Sequence, residues 1–139
     1  MTRTSILSGK KVNPKTVMTF CYVRQAAGST LYFGFGCHSD VSVATESYVK
    51  MPLPCAGVFR KLKIYVSMPQ GAGKTTTIYL RKNGSNTAIT VALTNTTSGQ
   101  DVTHEAVFAA GNKVSFSLNL TAAASQGIVS GSIVFYPLE

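Results

Sequence analysis

The chain contains no tryptophan and few charged residues, which make up only 13% of its 139 residues. That share is about half of the usual one, and it argues against a highly charged, solvated helical protein. Disorder is disfavoured too, because 45% of the residues are hydrophobic and a chain of this length can bury a sizeable core. Serine, threonine, asparagine and glycine supply the polarity instead, which suits a rigid β-protein that contacts other proteins.

Acidic residues are scarce, since five Asp and Glu stand against 13 Lys and Arg, for a formal net charge of +8. The five are too scattered to form a convincing pair of catalytic acids. The positive charge gathers in two clusters that we predict to bind a partner: Arg3, Lys10, Lys11 and Lys15, then Arg60, Lys61 and Lys63. Such clusters can neutralise the phosphates of a nucleic acid, dock on an acidic protein surface or increase solubility. Four basic residues among the first fifteen are a weak signal for nucleic-acid binding.

Long hydrophobic runs are also missing. No run approaches the ~20 apolar residues of a membrane span, and Met1–Lys15 lacks the apolar core of a signal peptide. We therefore expect synthesis in a cytoplasm and no membrane partner. Three cysteines, Cys21, Cys37 and Cys55, cannot all pair within one chain, and in a reducing compartment we expect free thiols.

Short strands separated by turn residues dominate the chain from Gly57 to Tyr136. The runs are Val58–Met68, Thr77–Lys82, Thr87–Thr94, Val102–Ala109, Lys113–Thr121 and Gly127–Tyr136. Most of them alternate apolar and polar residues, so each is expected to bury one face. An Asn83-Gly84 pair between two runs predicts a tight hairpin. The pattern indicates an antiparallel β-sandwich.

The first 56 residues are less regular. Residues 1–15 are predicted to form an extended basic arm, and Thr16–Arg24 a strand with apolar residues on both faces, as in the middle of a sandwich or at a subunit contact. Gly28–Gly36 reads as an aromatic strand and Val41–Met51 as a possible one. The sequence thus predicts a single jelly-roll or related Greek-key sandwich of about eight or nine strands over residues 16–139.

The stretch Gly71–Thr76 (GAGKTT) looks at first like a phosphate-binding loop. The nucleotide-binding pattern requires a glycine five positions before Gly73, and Met68 stands there instead. The residues that follow are threonine-rich and have a strand pattern, so no helix N-terminus is expected to face a phosphate. We predict an ordinary loop between two strands and no bound cofactor.

Groups suited to catalysis or metal binding do not assemble in the sequence. His38 and Asp40 lie beside Cys37, a combination that occurs in thiol nucleophile sites and at metal corners. A metal needs three or four ligands, and no spacing links the distant candidates Cys21, Cys55 and His104. We predict no catalytic residues, no metal site and no enzymatic activity.

Two segments carry a resemblance to a known family. They are Ile78–Gly84 (IYLRKNG) and Phe108–Phe116 (FAAGNKVSF), and they follow a strand and a glycine-rich loop that begin at Gly57. In this order they resemble the jelly-roll modules of bacteriophage virion proteins, of the capsid decoration, cement and fibre-tip kinds. They are distantly similar to the globular heads of the tumour-necrosis-factor and complement type. The resemblance covers residues 57–136, and the family often has Asp in place of Asn112.

The resemblance implies a structural or binding role in a virus particle, commonly as a homotrimer. We expect a capsid decoration or cement protein, located in the virion, whose partners are its own copies and a major capsid protein. In that arrangement the trimer sits over a junction between capsid subunits, and Met1–Lys15 reaches onto acidic neighbouring surface. The simultaneous binding of several arms then raises the affinity steeply.

Two viral alternatives remain open at the level of the sequence. A receptor-binding or carbohydrate-binding tip of a tail fibre or spike is expected to expose aromatic residues; the candidates are Tyr32, Phe33, Tyr48 and Tyr65. A small jelly-roll coat protein is expected instead to place the basic arm on nucleic acid. A non-viral signalling or adhesion head is expected to carry a secretion signal, and none is visible.

Overall fold

The structure is a computed structural model that describes residues 5–7, 10–12, 15–37 and 42–138. For residues 5–7, 10–12 and 37 the description covers the backbone alone. Arg3, His38 and Asp40, which the sequence singled out, lie outside the described residues.

Nearly all of the described regular structure is β-strand. The strands are β1 (Ser5–Leu7), β2 (Lys10–Val12), β3 (Thr16–Arg24), β4 (Thr30–Phe33), β5 (Gly36–Cys37), β6 (Met51–Pro52), β7 (Gly57–Val66), β8 (Thr75–Lys82), β9 (Ser85–Thr94), β10 (Ser98–Phe108), β11 (Lys113–Leu120) and β12 (Ile128–Pro137). A short 3-10 helix, Glu46–Tyr48, is the only helical element in the described part of the chain.

Two sheets pack face to face. Sheet I has the order β10-β7-β12-β3-β5, and sheet II has the order β4-β11-β8-β9, with β6 paired to β11. Eight strands of the sandwich have four or more residues, namely β3, β4 and β7 to β12. Numbered 1 to 8 in chain order, they give the order 6-3-8-1 in sheet I and 2-7-4-5 in sheet II. That order is the one of a jelly roll. The predicted all-β sandwich is confirmed, and its strands pair antiparallel except for the two-residue β5, which runs parallel to β3.

The core lies between the sheets and contains most of the predicted apolar positions. Leu62, Ile64 and Val66 of β7 are buried. So are the alternating residues of the other long strands: Ile78, Leu80, Ile89, Val91, Leu93, Val114, Phe116, Leu118, Leu120, Val129, Ile133 and Phe135. Met68, the last residue of the predicted run Val58–Met68, is 44% exposed because the strand ends at Val66.

Aromatic rings occupy the centre of the core. The ring centroids of Phe20, Phe33 and Phe116 lie 4.8 to 5.0 Å apart. Phe20 belongs to β3 of sheet I, and Phe33 and Phe116 belong to β4 and β11 of sheet II. Phe59 packs against Phe108 at 5.1 Å. The contacts of Phe20 with Phe33 and Phe116 join the two sheets, whereas Phe59 and Phe108 both belong to sheet I. The apolar area that these rings bury is the main stabilising contribution in such a domain.

Bulges interrupt the alternation in strands β3, β7 and β10 of sheet I. Tyr22 in β3 and Lys61 in β7 both have φ of 61°, and the register with β12 shifts beside each of them. Because the bulge adds one residue to β7, Arg60 and Lys61 are both exposed while Phe59 on one side and Leu62 on the other are buried. A strict alternation cannot predict this change of face.

Two of the predicted local elements are confirmed, and one predicted strand is wrong. Thr16–Arg24 is confirmed as a strand, and the Asn83-Gly84 hairpin has the expected positive φ values of 50° and 86°. The possible strand Val41–Met51 is wrong, since the described residues there contain the 3-10 helix Glu46–Tyr48 and only Met51 joins a strand. The segment has too few alternating apolar residues to bury a strand face.

The N-terminal residues that the structure describes pair with each other. Ser5–Leu7 and Lys10–Val12 form a two-stranded antiparallel hairpin, where the sequence predicted an extended arm. Local pairing satisfies backbone groups that a single extended strand leaves open. In the described part of the chain, no helical segment has the length and apolar character needed to cross a bilayer.

Two of the three cysteines can be compared with the expectation of free thiols, and they give different results. Cys21 is disulfide-bonded, so the expectation is wrong for this residue. The parallel pairing of β3 with β5 aligns the Cα positions of Cys21 and Cys37, a proximity that the distance along the sequence did not indicate. Cys55 is free and packs against the edge of the core.

Candidate interaction surface

The glycine-rich stretch forms the loop between β7 and β8. Gly71 and Gly73 have positive φ, and the N–H of Lys74 donates to the carbonyl of Gly71, which closes a turn. Thr75 then begins strand β8. The loop therefore leads into a strand, as predicted, and no helix N-terminus in the described part of the chain faces it.

The second basic cluster lies on the solvent side of sheet I. Arg60 forms an ion pair with Glu105, whose Oε2 lies 2.6 Å from Nη2 of Arg60. Its guanidinium also lies 5.5 Å from the ring centre of Tyr136. Lys61 and Lys63 are exposed and make no ion pair with any described residue. Of the first cluster, Lys15 is exposed, while Arg3 and the side chains of Lys10 and Lys11 lie outside the description.

The outer face of sheet I is the surface opposite the core, formed by the side chains that alternate with the buried ones. The residues on it are Val17, Thr19 and Tyr22 of β3, Arg60, Lys61, Lys63 and Tyr65 of β7, Ser98, Gln100, Glu105 and Val107 of β10, and Ser130, Ser132, Val134 and Tyr136 of β12. Val17, Tyr22, Tyr65 and Val107 are each more than half exposed. This face therefore carries both apolar and cationic groups.

Lys63 and Tyr65 form a ridge along β7 between two shallow depressions. A depression of about 310 Å³ on the β12 side is lined by Lys63, Tyr65, Ser130 and Ser132. One of about 370 Å³ on the β10 side is lined by Lys63, Ser98 and Gln100. The small side chains on β10 and β12 leave the ridge standing above its neighbours.

The outer face of sheet II is different, because residues 42–50 cover part of it. Glu46 in this covering segment accepts hydrogen bonds from Nε of Arg81 at 2.7 Å and from Oγ of Ser115 at 2.8 Å. Both charged side chains are only 14% exposed. The hydrogen bond from Arg81 outweighs the cost of burial and lowers the pKa of Glu46, and the same bond raises the pKa of Arg81.

Asp101 organises a second polar cluster, on the edge strand β10. Its carboxylate accepts hydrogen bonds from the backbone N–H groups of Thr90, Thr103 and His104, and Nδ1 of His104 lies 2.9 Å from Oδ2. Burial alone raises the pKa of this carboxyl, but the hydrogen bonds outweigh burial and lower the pKa to about 2. Asp101 is therefore ionised at neutral pH.

Each of the three carboxylates in the described residues has an ion-pair or hydrogen-bond partner within the chain. Glu46 is held by Arg81, Asp101 by backbone N–H groups and His104, and Glu105 by Arg60. Lys61 and Lys63 have no such partner among the described residues. The described surface thus presents cations without exposed, unpaired anions, and charge complementarity favours an acidic partner.

The aromatic residues predicted for a receptor-binding tip do not form one patch. Phe33 is fully buried, and the Tyr32 ring lies under the guanidinium of Arg81 at 5.4 Å. Tyr48 is 79% exposed and Tyr65 54%, but Tyr48 belongs to the segment that covers sheet II while Tyr65 lies on sheet I. Tyr65 lies two residues from Lys63 on the same face of β7, and Lys63 makes no ion pair with a described residue.

Of the candidates for catalysis or metal binding, the described fold aligns only the Cα positions of Cys21 and Cys37. His104 contacts Asp101, and Cys55 packs near the core. Within the described residues, no group of three or more His, Cys, Asp or Glu side chains could hold a metal ion. His38 and Asp40 lie outside this part of the chain.

The sequence did not indicate the structural roles of Glu46 and Asp101. Asp101 is followed by Thr103 and His104, and Asp often accepts hydrogen bonds from N–H groups two or three residues later, so a local signal was present. Glu46 and Arg81 are 35 positions apart. Only the fold brings them together.

Comparison with protein-family models finds no match to the chain, and a search of curated proteins finds no similar sequence.

Proposed function

We propose that the chain is a structural protein of a virus particle, a capsid decoration or cement protein that acts as a homotrimer and stabilises the shell. The fold supports this proposal in part, because a jelly roll is an architecture widely used in capsid proteins. The proposal depends on contact surfaces and needs no catalytic group.

One observation carries the proposal: the exposed valine side chains of the described strands lie in sheet I and not in sheet II. Val17 of β3 and Val102 and Val107 of β10 are 59%, 52% and 54% exposed. No large hydrophobic residue of comparable exposure lies on β4, β8, β9 or β11 among the described residues. Exposed apolar groups gathered on one face are typical of a protein contact.

Electrostatics supports an acidic partner beside these apolar contacts. Lys61 is exposed and unpaired within the described residues, and the chain has a net charge of +8. A capsid surface rich in carboxylates would complement this charge and speed the encounter. The hairpin that contains Lys10 and Lys11 adds a second basic segment.

The mass in solution tests the self-association. Three chains of 14.7 kDa give about 44 kDa, and we expect light scattering after size exclusion to return that mass. Val107→Asp on β10 should lower the mass to that of a monomer, because a buried unpaired charge is costly at an interface. Ala92→Asp, at an exposed position of β9, is the matched control and should leave the mass unchanged. A wild-type monomer would contradict the trimer.

Location in a particle needs a separate measurement. An antibody raised against the purified protein should label intact virus particles in immunogold electron microscopy, with the label on the shell. Label on tail fibres alone would favour a fibre tip over a decoration protein. Absence of the chain from purified particles by mass spectrometry would overturn the proposal.

A further inference from the structure

The ridge formed by Lys63 and Tyr65 has a chemistry that the apolar contacts of the proposed trimer do not use. Depressions of about 310 and 370 Å³ lie on its two sides. Val107 and Val17 lie away from the ridge, near the end of β10 and the start of β3. The ridge and its two depressions therefore form a separate candidate site.

We propose that this ridge binds an acidic saccharide, a sugar that carries a carboxylate or a sulfate group. The proposal is independent of the decoration function, since it rests only on the local chemistry of β7, β10 and β12. It can hold for a monomer or for a trimer that leaves this part of sheet I open.

The first argument is the supply of unused hydrogen-bonding groups. The side chains of Ser98, Gln100, Ser130 and Ser132 line the depressions, and none of them forms a hydrogen bond with another described residue. On sheet II the hydroxyls of Thr87 and Thr90 donate to backbone carbonyls instead. Hydroxyl and amide groups that are free to donate and accept suit the hydroxyls of a sugar.

The second argument is charge. Lys63 lines both depressions and has no anionic partner among the described residues, with Lys61 two positions away. The nearby Arg60 is already held by Glu105 at 2.6 Å. A carboxylate or sulfate on the sugar would form a charge-assisted hydrogen bond with Lys63, which is about twice as strong as a neutral one.

The third argument is the exposed ring of Tyr65. Its side chain is 54% exposed and stands beside Ser130 in the register of the sheet. A tyrosine presents an apolar ring and a polar hydroxyl together, so it can cover the C–H face of a sugar and still bond a hydroxyl.

Other anionic partners fit the ridge less well. Nucleic-acid binding is built from many phosphate contacts, and only Lys61 and Lys63 are unpaired here among the described residues. A protein partner is expected to bury about 800 Å² per side around an apolar centre. The two depressions are smaller than such an interface, and three serines and a glutamine are among the residues that line them.

Titration calorimetry on the full chain tests the proposal with defined probes. A sialic-acid trisaccharide supplies the carboxylate, a heparin-derived hexasaccharide supplies the sulfate, and lactose is the neutral control. We expect at least one acidic probe to bind at least tenfold more tightly than lactose. Lys63→Gln should weaken that binding about tenfold, and Tyr65→Ala about fivefold. Lys113→Gln, which removes an exposed lysine on sheet II, should leave it unchanged.

The outcomes separate clearly. Failure of both acidic probes, or equal binding by the Lys63→Gln and Lys113→Gln variants, overturns the proposal. Tighter binding of a single-stranded oligonucleotide than of either saccharide, again dependent on Lys63, also overturns it in favour of a nucleic-acid partner. The urea midpoints of all variants confirm folding, because both mutated side chains of the ridge are exposed.

Discussion

The carboxylate of Asp101 accepts a hydrogen bond from the backbone N–H of Thr90 at 3.1 Å. This bond joins the edges of two different sheets, since Asp101 lies on β10 at the end of sheet I and Thr90 on β9 at the end of sheet II. The same carboxylate closes the bulge of β10 by accepting from the N–H of His104. Edge strands with open N–H groups invite pairing with other chains, and Asp101 occupies three of these groups, those of Thr90, Thr103 and His104.

Asp101→Asn should destabilise the protein at neutral pH. The pKa of Asp101 is lowered from 3.8 to about 2, so its contribution to the free energy of unfolding is fully present above pH 3.8 and is lost as the pH falls toward 2. That shift corresponds to about 2 kcal/mol. Urea unfolding at pH 7 should show the loss, and at pH 2 the difference between the variant and the wild type should shrink.

Glu105→Gln is the control for Asp101→Asn, because it removes a carboxylate from the same strand. Its ion pair with Arg60 is about half exposed on both sides, and solvent screening limits such pairs to about 0 to 1 kcal/mol. Equal losses in the two variants at pH 7 would show that the hydrogen bonds to Thr90 and His104 do not set the stability of the edge.

The long strands were predictable because each buries one face of a regular alternation. Ile78 and Leu80 on β8 and Val114 on β11 are buried as their spacing indicates. The bulges at Tyr22 and Lys61 were not predictable, because neither residue type favours the positive φ that it adopts. Each bulge depends on the register with β12, which only the assembled sheet defines.

The candidate site was predictable only in part. The cluster of Arg60, Lys61 and Lys63 is visible in the sequence, but the pairing of Arg60 with Glu105 depends on the register of β7 with β10. The serines at 130 and 132 look like ordinary solvent-facing residues of a strand. They line a depression because β12 lies directly beside the ridge on β7.

Gly131→Ala should be strongly destabilising because the backbone at this position is crowded. A Cβ there would lie 2.4 Å from the carbonyl oxygen of Lys63 and 2.6 Å from Cζ of Phe20. Relief requires movement of β7 or of the central phenylalanine, and such overpacking typically costs about 1 to 3 kcal/mol. The midpoint of urea unfolding measures the loss.

Gly111→Ala is the comparison for Gly131→Ala. No atom lies within 4 Å of the added Cβ at Gly111, and only its positive φ of 83° opposes a side chain. That backbone strain is about 1 to 2 kcal/mol. A smaller loss in Gly131→Ala than in Gly111→Ala would contradict the close contact of β12 with β7 and Phe20.

The states of Cys21 and Cys55 can be measured by alkylation. In denaturant without reductant, iodoacetamide should label Cys55, which is free, and should leave Cys21 unlabelled, because it is disulfide-bonded. Reduction before alkylation should label both residues, and peptide mass spectrometry separates the two sites. Labelling of Cys21 without reduction would contradict the disulfide and restore the expectation of free thiols.

The ion pair between Arg81 and Glu46 should hold the covering segment 42–50 on sheet II. Glu46→Gln keeps the size of the side chain but removes the charge that Arg81 and Ser115 both contact. Hydrogen bonds to a charged group contribute about 1.5 to 3 kcal/mol, so we expect a loss in that range at pH 7. Because the pKa of Glu46 is lowered in the folded protein, the contribution is present above pH 4.5 and is lost as the pH falls further.

Limited trypsin digestion distinguishes local release of the segment from general destabilisation. Lys50 lies within the covering segment, and cleavage after it should accelerate in Glu46→Gln well before the remaining lysine sites are cut. Lys113, on the central strand β11, provides the internal comparison. If cleavage after Lys50 and Lys113 rises in parallel, the ion pair stabilises the whole sandwich and does not specifically hold the segment.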